Sequence, residues 1–296
     1  MTVPAKDPIV TVPMVTPFDE ADQIDLGAVE RNVARWLQTP LSGFLVGSQS
    51  GEEAHLSEAE KLDVARTVHG ALDEQRFLIG GIDCPSVTET LRRAEAFAEV
   101  GVEMVRLRFP RQPSAVLPYF EQVLPRCPLP VLLMHQCDPA SFGVAAKPAA
   151  APEILGQVTH MDNVYGYVTD HDMRFEARVR RHASRDRRFW ICNGSMILSG
   201  TLIGCDGTTT AFANIWPEAL KRLLDLDISG RYAEAQSLQD QVRRIDEIML
   251  PHLACGIKTA LSLLGFEGMI PRRPTAPMPA AEVRQLQAVM AEAGLL

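Results

Sequence analysis

Up to about residue 215, apolar runs of strand length alternate with longer amphipathic stretches. The runs are 9–15, 43–47, 77–82, 104–109, 131–134, 164–168, 189–192 and 207–211. The stretches between them, such as 53–72, 88–100, 115–124, 175–184 and 195–203, carry helical spacing. Ser57 with Glu60 has the form of a capping box at the start of a helix. Eight short strands, most followed by a helix, predict an α/β fold of the closed (β/α)8 TIM-barrel type. The predicted barrel occupies residues 1–215. Residues 216–296 read as a C-terminal helical extension, with helices at 217–226, 232–249, 258–264 and 281–293.

Composition narrows the function classes. The net charge of -8 argues against a nucleic-acid footprint. No run of about 18 apolar residues is present, so no membrane span is expected. The opening residues lack the apolar stretch of a signal peptide, and none of the six cysteines forms a C-x-x-C pair. A cytoplasmic protein with reduced thiols is the expectation. Lysine is scarce, occurring only at 6, 61, 147, 221 and 258.

Barrels of this type carry their reacting groups at the C-terminal ends of the strands. The segments to inspect are therefore Ser48–Glu52, Phe109–Gln112, Met134–Asp138, Val168–Asp172, Asn193–Ser195 and Thr208–Thr210, together with Thr16 and Asp83. Arg106 and Arg108 alternate on the fourth strand and share a face. Facing the barrel interior, they would favour an anionic ligand such as a dicarboxylate. The apolar Val105, Leu107 and Phe109 suit that interior, which favours the other orientation, with both arginines towards the helix layer and paired with acids such as Glu95 or Glu99. Tyr165 and Tyr167 are opposite in parity to Val168, so both should point towards the helices.

The order and spacing of several short motifs carry a resemblance. They are Val15-Thr16-Pro17-Phe18, Gly47-Ser48-Gln49-Ser50-Gly51-Glu52, Ser86-Val87-Thr88-Glu89, the run Gly101 to Pro110, Asn163-Val164-Tyr165-Gly166, Asn193-Gly194-Ser195 and Gly204-Cys205-Asp206-Gly207. Each is weak alone. Together, across nearly the whole chain, they resemble the dihydrodipicolinate synthase / N-acetylneuraminate lyase family. The resemblance implies a class I aldolase-like barrel acting on small 2-oxo acids through a Schiff base, assembled as a homo-dimer or homo-tetramer. It also marks where this chain departs. The family's lysine slot holds Val168, and the fifth-strand tyrosine slot holds Met134. The tyrosine after the fourth-strand proline corresponds to Arg111 or Gln112, and segment 138–143 offers no substrate-gripping arginine. Lys258 matches a helical lysine and not the catalytic one. Lys147, near the barrel mouth, is the one conceivable replacement amine.

An isopropyl group cannot form an imine, so any lyase chemistry on a small oxo or hydroxy acid must run without one. The resemblance makes Ser48, Gln49, Ser50, Gly194, Ser195 and Thr209 the candidate substrate-binding residues, for a small anionic carboxylate. His135, Asp138, Asp170 and His171 cluster at the ends of strands five and six and are the candidate catalytic residues. The histidines could serve as general acids or bases near neutral pH. The cluster could instead hold a divalent metal, although its spacing matches no metal motif, and the working expectation is no cofactor. Ordinary polar loop residues, with an aspartate capping the next helix, are the simpler account. Two functions stay open: a lyase with altered chemistry, or a catalytically inactive relative that binds a small carboxylate.

Overall fold

The computed structural model describes residues 7–83, 86–136, 147–170 and 172–296. Eight parallel strands close into a barrel in chain order. They are β1 (Ile9–Pro13), β2 (Gly43–Val46), β3 (Phe77–Ile82), β4 (Met104–Arg108), β5 (Val131–Gln136), β6 (Val164–Asp170), β7 (Arg188–Ile191) and β8 (Gly207–Thr209). The helices around them are α1 (Leu26–Trp36), α2 (Glu58–Ala71), α3 (Val87–Glu99), α4 (Val116–Val123), α5 (Pro152–Val158), α6 (Met173–His182) and α7 (Ile197–Leu202). The capping box at Ser57 and Glu60 is present, and it sets the start of α2 at Glu58, so the predicted helix from residue 53 begins later. Residues 49–51 and 53–55 form two short 3-10 turns instead.

Two apolar layers follow from strand alternation. On β5, Leu132 and Met134 point inward, while Val131 and Leu133 join the layer beneath the helices. The inner cluster is Leu45, Ile79, Met104, Leu132, Met134, Val168 and Trp190. Val168 is fully buried in it. The expected orientation of the two tyrosines needs correcting at Tyr165. The β5–β6 register slips by one residue, pairing Val131 with Val164 but Leu132 with Gly166. This bulge resets the alternation. Tyr165 therefore packs against the inner cluster, edge-on to Trp190 at 5.7 Å. Tyr167 keeps its outward direction, stacked on Phe189.

The tail comprises α8 (Pro217–Ile228), α9 (Tyr232–Met249), α10 (Leu253–Leu263) and α11 (Ala280–Glu292). Buried polar contacts dock it on the C-terminal end of the barrel. Gln239 of α9 accepts from the Leu198 N–H (3.1 Å) and donates to the Gly194 carbonyl (2.8 Å). The Lys258 ammonium of α10, fully buried, donates to the Glu52 carboxylate and the Ile270 carbonyl. At the start of α10, Leu253 sits at φ +50 with its side chain exposed. No helix among the described residues is long and apolar enough to cross a membrane.

Candidate active site

A cavity of about 100 Å³ opens at the C-terminal end of the barrel. That space holds several water molecules or a small organic acid. Ser48, Gln49 and Ser50 form one wall, and Arg106 and Arg108 come from β4. Met134, Gln136 and Asp170 come from β5 and β6. Asn193, Gly194, Thr209 and Thr210 follow β7 and β8, and Asp246, Leu250, Leu253, Ala254 and Ile257 close the space from the tail.

The Ser48–Ser50 wall is a tight turn built for backbone proximity. Gly47 takes φ +69, and a side chain on Gly81 would meet the Gly47 carbonyl at 1.8 Å and the Arg106 guanidinium at 2.6 Å. The Ser48 hydroxyl accepts from the Gly51 N–H, starting a 3-10 turn. Glu52 ends that turn in the left-handed region, which is costly for a side chain with a Cβ. Its carboxylate is tied to Lys258 and to the Arg272 N–H (2.9 Å), so tail contacts hold the turn in place. Lys258 is consequently a structural cation facing away from the cavity lining. Burial lowers its pKa to about 8, against the opposing pull of Glu52.

The two β4 arginines correct the sequence expectation, because both face the interior. The acids that meet them stand at the barrel mouth and not on α3. Arg106 donates from Nη2 to the Gly47 carbonyl (2.8 Å) and to Glu53 (3.1 Å). Arg108 pairs with Glu53 (2.7 Å) and with Asp83, and donates from Nε to Gln136 (2.8 Å). Gln136 in turn donates to Gln49 (3.1 Å), linking β5 to the Ser48–Ser50 wall. Val105, Leu107 and Phe109 occupy the larger apolar layer outside. For Arg106, burial and the neighbouring Arg108 lower the pKa. For Arg108, burial works downward, but Glu53 and Asp83 raise the pKa above its ordinary value. The Arg106 Nε and Nη1 atoms and the Thr209 hydroxyl are buried without hydrogen-bond partners. Buried donors of this kind ordinarily find a partner, so they point to a polar occupant of the cavity.

Asp246 is the acidic group that sequence reading missed. It is 1% exposed, and it reaches the cavity from α9. Its Oδ2 accepts from the Ser195 hydroxyl (2.8 Å), while Oδ1 has no partner. Burial raises its pKa to about 6, partly offset by the Ser195 hydrogen bond. The Cys192 thiol, on the same lining, is pushed up strongly by burial and by Asp170, which keeps it protonated.

The structure brings most of the sequence-derived candidates together and leaves Ser195 and His135 off the cavity lining. Ser48, Gln49, Ser50, Gly194, Thr209, Asp170 and Met134 all line the cavity. Ser195 stands behind it, donating to Asp246. His135 faces the helix layer, the reverse of its expected place at the mouth. Strand alternation puts it opposite to Met134, between the Ala149 N–H, which donates to Nε2 (3.1 Å), and Glu176 (2.6 Å from Nδ1). Because Nε2 accepts, Nδ1 carries the proton and donates to Glu176, which also accepts from the Tyr167 hydroxyl (3.0 Å). That network holds His135 in the barrel wall, away from the cavity lining. Asp138 and His171 lie outside the described residues. Asp172 caps α6 by accepting from the Phe175 N–H. Among the described residues, no group of three or more His, Cys, Asp and Glu is placed to hold a metal ion.

The model of the dihydrodipicolinate synthetase family matches residues 8–293. The chain belongs to that family. It is 28% identical to a probable mitochondrial 4-hydroxy-2-oxoglutarate aldolase of Emericella nidulans, covering 96% of this chain and 94% of the relative. It is 24% identical to an N-acetylneuraminate lyase of Rhizobium meliloti, covering 94% and 92%. The dihydrodipicolinate synthase of Acinetobacter baumannii, solved with pyruvate, superposes with a TM-score of 0.87 at 17% identity, covering 98% of this chain and all of the other. Aldolase-type lyase chemistry is thus the property of the family, carried on the fold described above.

Proposed function

We propose that this chain is an aldolase- or dehydratase-type lyase for a small 2-oxo or hydroxy acid, and that it works without an imine. The observation that carries the reading is the Arg106 guanidinium, buried at the cavity with two N–H-bearing nitrogens unpartnered. Cleavage or dehydration of a 2-oxo acid passes electrons from C3 onto the C2 carbonyl oxygen. In the family a lysine-derived iminium accepts them. Here the lysine slot is Val168, enclosed by apolar neighbours. A fixed guanidinium in a water-poor site can stabilise the resulting enolate, because charge-assisted hydrogen bonds are strong there. The Ser48–Ser50 turn is the proposed seat of the substrate carboxylate. The names of relatives support a 2-oxo acid, with or without a 4-hydroxyl group. This step uses only the chain's own side chains.

Val168 and Met134 favour a second reading. The same cavity would bind a small carboxylate without turning it over. Family resemblance also leads us to propose a homo-dimer or homo-tetramer.

One pair of measurements separates the readings. Thermal shift with pyruvate reports binding. Proton NMR of the pyruvate methyl group in D2O reports protein-catalysed C3 exchange, the signature of enolate formation. We expect wild type to bind and exchange, and Arg106→Met to lose about 100-fold or more of the exchange rate. Binding with no exchange above buffer favours the inactive relative.

A further inference from the structure

We infer that Asp246, delivered by the tail and oriented by Ser195, is the residue that moves a proton to and from the substrate carbon. The inference rests on the enolate reading above, and it names the base that reading needs.

Three observations carry it. Asp246 lines the cavity, with one carboxylate oxygen fixed by the Ser195 hydroxyl and the other buried without a hydrogen-bond partner. No side chain intervenes on the turn that faces it: a Cβ on Gly194 would already stand 3.3 Å from Oδ2. Asp246 is also the more deeply buried of the two lining aspartates, since Asp170 sits only partly buried at the end of β6. The unpartnered Arg106 nitrogens belong to the same lining. One cavity therefore holds an oxygen able to take a proton and a cation able to hold the charge left behind.

The step balances within the cavity. The C3–H bond of the 2-oxo acid breaks, and its proton goes to Oδ1 of Asp246. The bonding pair forms C2=C3, and the carbonyl pair moves onto oxygen, opposite Arg106. Reversal returns the proton to C3. In an aldol cleavage, Asp246 instead takes the C4 hydroxyl proton as the C3–C4 bond breaks to give a carbonyl at C4 and the enolate, and then delivers that proton to C3. General acid–base residues contribute about 10²–10⁴ in rate, and they work best with a pKa near the working pH. Burial brings this carboxyl to about 6. Glu247 on its own helix and Cys192 act on it electrostatically; Cys192 in turn is close to Asp170 and the two β4 arginines, and Arg243 of the same helix donates to the Ser195 carbonyl.

The test is pyruvate methyl exchange in D2O, with pyruvate binding read by thermal shift. Wild-type exchange should rise with pH through about 6. Asp246→Asn should lose 100-fold or more of the rate while still binding pyruvate. Ser195→Ala keeps the carboxyl but removes its hydrogen bond, and should move the pH midpoint upward. Asp227→Asn is the control. Asp227 is also buried with a pKa raised to about 6, but it lies outside the cavity lining, so exchange should stay at the wild-type rate. Asp246→Asn exchanging within a few-fold of wild type overturns the inference and leaves the enolate reading intact. So does an Asp246→Asn protein that folds but no longer binds pyruvate, because the carboxyl would then be a binding or structural group. A Ser195→Ala midpoint equal to wild type also counts against it. Wild type that neither binds nor exchanges pyruvate sinks the enolate reading and this inference together.

Discussion

At the scale of single residues, the cavity concentrates charge whose balance depends on pH. Arg106 and Arg108 are offset by Glu53 and Asp83, so ionising Asp246 adds a further buried negative charge. The consequence for stability has a definite sign. A carboxyl whose pKa is raised on folding contributes stability that is full below its unfolded value and is lost as pH climbs through its folded value. For Asp246 that window runs from the ordinary 3.8 to about 6. Each pKa unit corresponds to about 1.4 kcal/mol, so the ionised wild type carries a penalty of up to about 3 kcal/mol that asparagine avoids. Asparagine can still accept the Ser195 hydrogen bond. Asp246→Asn is therefore expected to be more stable than wild type by about 1–3 kcal/mol at pH 7.5, with the gap closing near pH 4. Urea unfolding at the two pH values measures it, and equal stability at pH 7.5 would show that the carboxyl is not desolvated as described.

Between elements, the decisive contact is the docking of α9 on the turn that follows β7. The Gln239 amide satisfies a buried N–H and a buried carbonyl at once, and Asp246 lies two helical turns further along the same helix. Gln239→Ala leaves both backbone groups without partners, which costs about 2–4 kcal/mol. It should also loosen the placement of Asp246, so pyruvate methyl exchange should fall more than pyruvate binding does. Denaturant titration combined with the exchange assay checks this. A variant as stable as wild type would mean that α9 is held by its apolar face alone. Strand and helix positions were legible in the sequence because hydrophobic period reports them directly. Side-chain direction was legible only where alternation ran undisturbed. On β6 a bulge that leaves no mark in composition turned Tyr165 inward. On β4 the choice of face depended on acids from the β2 and β3 loops, remote in sequence. Asp246 was invisible for the same reason: in a helical tail it reads as a solvent-facing residue until the tail is docked.

For the whole molecule, the barrel and its tail act as one site. The tail supplies Asp246 to the lining and braces the Ser48–Ser50 turn through Lys258, so a family scaffold is completed by residues on both sides of the predicted boundary at 215/216. Three of the described lysines are held in ion pairs and the fourth is exposed. Lys61 pairs with Glu58 and Lys221 with Asp225 on outer helices, Lys258 is bound to Glu52, and Lys147 is exposed. In the proposed mechanism, substrate carbonyls are handled without a covalent bond to the protein. Intact-mass spectrometry after borohydride treatment in the presence of pyruvate tests it most directly. An unchanged protein mass is predicted; a reduced pyruvate adduct, on Lys147 or any other amine, would contradict the account.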